Sequence, residues 1–210
     1  MSALIHASTR AAFVPFTAPL EGVVPHLYLD VRGLVTVAIG CLVDPLPLAL
    51  SLPLVTLFDG SPATRTEIEA EWRLIKSHTE LAHKGAGAAR KLCSLRLTPQ
   101  GVEQVVGVRL DEMVAALVKR FPELPAWPAA AQLATLSMAW ACGCAFRFPK
   151  LDAALRLRRF EVAADECKMR EEGNPGLAPR NVANRELYLE AGRNVAMGLN
   201  PSVLEYVDRP

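Results

Sequence analysis

From Thr98 to Met197 the chain carries an almost unbroken helical periodicity, and no other feature restricts its fold as much. Thr98 followed by Pro99 marks a helix start, because a threonine hydroxyl caps unpaired first-turn amides and proline needs no amide partner there. Val102, Val105, Val106, Leu110, Met113, Val114, Leu117 and Val118 then recur at the spacing of one helix face. Pro122, Pro125 and Pro128 break that helix. Residues 129–146, AAAQLATLSMAWACGCAF, are apolar on nearly every side, which predicts a helix buried at the centre of a bundle. One or two helices are expected over 150–172, a glycine- and proline-rich stop at GNPGLAPR (173–180), and a last helix over 181–197.

The first 97 residues read differently. Pro15 and Pro19 argue against a long helix leading into Glu21. Leu27 to Thr36 predicts a strand, a turn at Val31-Arg32-Gly33 and a return strand through Ile39, with Asp30 at the turn entrance and Thr36 facing it. Leu34 to Phe58 is 25 residues with a single charge, long enough to cross a bilayer. Asp44 lies near its middle and Pro45, Pro47 and Pro53 interrupt helical bonding, so no stable membrane span is expected. Thr64-x-x-Glu67 forms a capping box, and Ile68, Trp72, Ile75 and Thr79 follow at helical spacing, predicting a helix from Thr64 to Ala82. KGAGAARK (84–91) predicts a flexible loop with bases at Lys84, Arg90 and Lys91.

Charge and cysteine usage narrow the function. With 23 basic and 22 acidic residues the chain lacks the cationic excess that phosphate neutralisation needs, so no nucleic-acid partner is expected. Five cysteines, an odd number without framework spacing, predict reduced thiols. Cys142-Gly143-Cys144 is too tight for a zinc knuckle, and His6, His26, His78 and His83 form no ligand pattern, so neither metal nor cofactor is expected. The N-terminus lacks the charged start and apolar core of a secretory signal peptide.

Between Glu21 and Gly40 the residues read E-G-x5-Y-x-D-x2-G-x2-T-x3-G. Breaking a glycosidic bond takes one carboxylic acid to protonate the leaving oxygen and a second carboxylate to assist water or act as nucleophile. Glu21 and Asp30 supply such a pair, and Thr36 adds a hydroxyl able to orient water.

This stretch resembles the phage-type, T4-like lysozyme (endolysin muramidase) family, whose fingerprint is Glu, then Asp or Cys after eight residues, then Thr after five more. Gly22, Tyr28, Gly33 and Gly40 also match; Ala38 stands where the family often has Gly, and Cys41 where it often has His. The PELP segment, LDAALRLRRFEVAADE and PGLAPRNVANRELYL are similar in order to the family's second lobe. The resemblance implies an α+β, mainly α, lysozyme-like fold: a small lobe with a β-hairpin, a larger helical lobe and a cleft between them. It implies one domain over 1–210, divided into the catalytic helix end and hairpin (13–43), an insertion (44–95), the helical lobe (96–197) and a tail (198–210).

It further implies hydrolysis of β-1,4 bonds between N-acetylmuramic acid and N-acetylglucosamine in peptidoglycan. Glu21 would be the acid, kept protonated by partial burial, Asp30 would stay ionised, and Thr36 would help hold water. Inversion at the sugar carbon would require the carboxyl groups to stand about 6.5–9.5 Å apart. Arg180 and Tyr28 are expected to bind substrate or tune the acid. The basic 84–91 stretch is either a solvated linker or a contact for anionic glycan strands and stem peptides. Rival readings are a lytic transglycosylase and a catalytically silent glycan-binding or structural module. The resemblance suggests a monomer made in the bacterial cytoplasm and acting in the periplasm or wall, delivered by a holin or by secretion machinery. In the second case a cognate immunity protein would plug the cleft.

Overall fold

The computed structural model describes residues 4–205. The chain is α+β and mainly α, with small antiparallel sheets. It divides into two compact units, one holding the residues up to Leu20 and those from Asp111 onward, the other Glu21–Leu110.

Helix α1 spans Ala7–Glu21 and contains both Pro15 and Pro19, contrary to the expectation that they would prevent it. It buries Thr9, Ala12, Phe13, Phe16 and Thr17 along one face. Both prolines, and Ala11 one turn before them, are exposed, so the carbonyls of Ala11 and Pro15 that lose an amide partner belong to solvated residues. Burial of the opposite, aromatic face outweighs the local cost.

In the Glu21–Leu110 unit, strands β1 (Val24–Leu29), β2 (Val35–Ala38) and β3 (Cys41–Leu42) form an antiparallel sheet in that order. The expected hairpin is thus extended by a third strand. Tyr28 pairs with Thr36 and Leu29 with Val35. Ala38 takes φ 59°, a left-handed backbone that suits glycine far better. A short helix α2 (Leu46–Ala49) and strand β4 (Leu54–Thr56) follow, so the long apolar stretch is spent on two sheets and a helical turn. Among the described residues no helix is long and apolar enough to cross a membrane.

Helix α3 (Arg65–Ser77) begins with the expected capping box: the Glu67 amide donates to Thr64 Oγ1, and the Thr64 amide donates back to the Glu67 carboxylate. It stops five residues before Ala82, and a 3-10 turn covers Thr79–His83. The expected flexible basic loop is instead a 3-10 helix over Ala86–Leu92, with Ala89 buried. Strand β5 (Leu95–Leu97) pairs with β4. Glu71, buried on α3, holds β5 in place, its Oε2 accepting from the Ser94 amide at 2.6 Å, the Ser94 hydroxyl at 2.9 Å and the Leu95 amide at 3.0 Å.

Helix α4 (Pro99–Arg120) starts as expected, with the Gly101 amide donating to Thr98 Oγ1 at 3.0 Å. In the other unit, α5 (Ala129–Cys142) is buried continuously from Ala129 to Ala139. Trp127 stands between Phe121 and Phe160, ring centres 5.5 and 6.3 Å away. Two helices fill the next stretch, α6 (Pro149–Arg156) and α7 (Phe160–Glu166). Helix α8 (Leu177–Ala196) begins four residues earlier than expected, inside the supposed stop. Pro179 occupies its third position, where an amide has no intrahelical acceptor anyway, so the proline costs little. Against α7, Gly192 lets the backbone pass Glu161 at a distance where a Cβ would stand 2.4 Å from its Oε1.

Candidate active site

Glu21 is the last residue of α1, and Gly22, at φ 79°, turns the chain into β1. The Glu21 side chain is exposed, so the partial burial expected of it is not found. A helix end followed by a left-handed glycine leaves its terminal residue in solvent.

Asp30 sits at the mouth of the β1–β2 turn. Its Oδ1 accepts from the Arg32 amide at 2.8 Å and the Leu34 amide at 2.9 Å, while its own amide donates to the Leu34 carbonyl at 2.9 Å. Among the described residues, the hydrogen bonds that this carboxylate accepts fall on Oδ1, leaving Oδ2 open. A short acidic side chain closing its own turn is the usual reason for aspartate at such a place. Here that role fixes the carboxylate's direction as well.

Thr36 does not lie opposite Asp30; its direct partner is Tyr28, and Asp30 pairs with Leu34. Because side chains alternate along a strand, Tyr28, Asp30 and Thr36 nevertheless share one sheet face, with Thr36 diagonal to Asp30. Thr36 is 4% exposed and its hydroxyl donates to the Leu34 carbonyl at 3.1 Å, so only acceptor capacity remains on its oxygen.

The Tyr28 hydroxyl lies within the electrostatic reach of both carboxylates. It is pushed up to about 12, first by burial, then by the negative charge of Asp30, with Cys41 and Glu21 adding to it. Both acids therefore act on one phenol. Cys41 is buried on β3, and burial pushes its thiol up to about 11, so it brings no base.

The turn is also anchored from outside by residues that sequence reasoning passed over. Lys76 on α3 donates to the Gly33 carbonyl at 2.8 Å and to Asp44 Oδ2 at 2.5 Å, and Asp44 Oδ2 accepts from the Val35 amide at 3.1 Å. Burial alone would raise the Asp44 carboxyl, but the hydrogen bonds from Lys76 and Val35 hold it below its ordinary value. Asp44 was visible only as the lone charge in an apolar run. Lys76, 32 positions away, had no sequence signal linking it to the turn.

Arg180 belongs to the other unit, in the first turn of α8. It is 1% exposed, which removes the reading as an exposed turn residue, and its Nη1 donates to the Ser137 carbonyl at 3.1 Å and hydroxyl at 3.0 Å. Among the described residues no group of three or more His, Cys, Asp or Glu gathers as metal ligands, and all five thiols are free.

No family model and no curated protein matches this chain. The site's chemistry is therefore argued from Glu21, Asp30, Tyr28 and Thr36 themselves.

Proposed function

We propose that this protein is a muramidase, hydrolysing the β-1,4 bond between N-acetylmuramic acid and N-acetylglucosamine in peptidoglycan. The observation that carries the proposal is geometric: Tyr28, Asp30 and Thr36 share one sheet face, with Thr36 paired across from the tyrosine, and Glu21 ends α1 just before the glycine that turns the chain into that sheet.

Glu21 is the general acid. It ends α1, next to the turn that leads into β1. Protonated, it delivers its proton to the departing glycosidic oxygen. Asp30, directed by the two amides on Oδ1, uses Oδ2 to accept one proton of a water molecule. Thr36 accepts the other with the lone pairs its own donation leaves free. A water so held has its oxygen lone pair left for the sugar's anomeric carbon, and Asp30 steadies positive charge growing there. Attack by water from the side opposite the leaving group inverts that carbon. A transglycosylase has no use for a second carboxylate and hydroxyl held in this way.

Under this proposal the partners are glycan strands of the wall, and the monomeric enzyme acts there after delivery by a holin or secretion machinery. An immunity protein is expected in the second case. Glu21→Gln tests the assignment by clearing of a peptidoglycan suspension. We expect a rate loss of about 10²–10⁴-fold, the usual contribution of a general acid, in a protein that still folds. A folded Glu21→Gln protein that clears the suspension at the original rate overturns it.

A further inference from the structure

A pocket of about 440 Å³ opens in the Glu21–Leu110 unit beside the first half of β1. Val24, Pro25 and Leu57 supply apolar wall, and the polar lining comes from His26, Arg90 and Arg96. No acidic residue lines it. Arg90 and Arg96 are exposed and form no ion pair among the described residues. The His26 ring nitrogen Nε2 donates to the Ala86 carbonyl at 3.1 Å, which ties that ring to the Ala86–Leu92 segment, and the two guanidinium groups bring fixed positive charge to the site.

The walls are held rather than loose. Cys93 donates from Sγ to the Leu27 carbonyl at 3.3 Å, joining the Ala86–Leu92 segment to β1. The Leu57 amide donates to the Ser94 carbonyl at 2.7 Å, joining the β4 turn to β5. Glu71 lies near Cys93 but is buried, with its Oε2 accepting from Ser94 and Leu95, and it does not line the pocket. The pocket thus combines a preformed apolar hollow of small-ligand size with two unpaired forks suited to a carboxylate.

We infer that this pocket takes a carboxylate-bearing peptide, the side arm that muramic acid carries in peptidoglycan; the identity of that ligand rests on the muramidase proposal. His26 precedes Asp30 by four positions along β1, roughly 13 Å at the rise of a strand. A peptide branching from a sugar held at Asp30 spans that distance in about four residues. Arg90 and Arg96 bind its carboxylates, and Pro25 and Leu57 cover its small apolar side chains. Substrate choice then falls on peptide-bearing wall rather than bare glycan.

Binding is measured by calorimetry on the full chain with three probes: a synthetic stem tetrapeptide with free carboxylates, its fully amidated form, and inorganic phosphate. We expect the acid peptide to bind, the amide to bind at least tenfold more weakly, and phosphate to compete poorly. Arg90→Gln/Arg96→Gln, two exposed changes, should lower acid-peptide affinity at least tenfold, and Arg90→Lys/Arg96→Lys should restore part of it. No binding of the acid peptide, equal binding of acid and amide, or an unaffected Gln double variant overturns the inference. Strong competition by phosphate assigns the pocket to phosphate and overturns the carboxylate. In parallel, the ratio of cleavage rates on intact wall and on peptide-stripped glycan should fall about tenfold in the Gln double variant. A chain that binds the acid peptide yet cleaves neither polymer retains the pocket and loses the muramidase; one that cleaves both without Arg-dependent binding does the reverse.

Discussion

Asp30 carries two duties on its two oxygens, and substitution can separate them. Asparagine keeps an acceptor for the Arg32 and Leu34 amides but has no charge, so Asp30→Asn should retain the thermal midpoint and lose most wall-clearing activity. Asp30→Ala should lose activity and also cost about 1 kcal/mol in denaturant unfolding, the ordinary worth of such turn bonds. Equal stability of the two variants would contradict the division. Tyr28 gives a second handle. Its hydroxyl, raised to about 12 by burial and by nearby acids, should titrate at lower pH once Asp30→Asn or Glu21→Gln removes a negative neighbour. Ultraviolet titration follows the phenolate directly, and a curve unmoved by either change would mean that the acids do not share this face. Ala38, at φ 59°, pays for a left-handed backbone that glycine adopts freely; Ala38→Gly should raise stability by about 1 kcal/mol despite removing a buried methyl.

At the scale of elements, the amphipathic stripes of α3 and α4 and the hydrophobic density of α5 were legible because burial of a face decides helices of that length. The turn and the capping box were legible for the same local reason, whereas the register, which sets Thr36 opposite Tyr28 rather than Asp30, was not. Helix α1 was not. Proline's cost is local, and the compensation, a buried face of Phe13 and Phe16, lies in tertiary packing that spacing alone does not weigh. Glu71 did leave a signal: it lies between Ile68, Trp72 and Ile75 on the buried stripe, and a carboxylate there must find buried donors, as it does at Ser94 and Leu95. The Lys76 link to Gly33 and Asp44 joins residues far apart in sequence and left none. Lys76→Met should loosen the turn that aims Asp30, seen as faster amide exchange at Leu34 and Val35 together with reduced kcat. Unchanged exchange there would show that the turn holds its shape without α3.

At the scale of the molecule, thiols and phenols that burial keeps neutral in the fold, Tyr188 among them, set its behaviour in alkali. Burial is the leading cause that pushes Cys41 and Cys167 up to about 11, and Cys93 and Tyr28 up to about 12. Unfolded thiols ionise near 9 and unfolded tyrosine near 10, so between those values and the folded ones the unfolded chain holds fewer protons. Stability is therefore intact below about pH 9 and falls as pH rises through the folded values, which urea unfolding at pH 8 and pH 10.5 would register as a lower midpoint at the higher pH. The division into two compact units does not follow the change in periodicity near Thr98: it falls inside α4, between Leu110 and Asp111, and the residues before Glu21 group with the later unit. The catalytic proposal is tested most directly by mass spectrometry of the fragments released from purified peptidoglycan. Muropeptides ending in reducing muramic acid, with one solvent oxygen incorporated from labelled water, are the predicted result. Anhydro-muramic ends, or no released fragments at all, would contradict it.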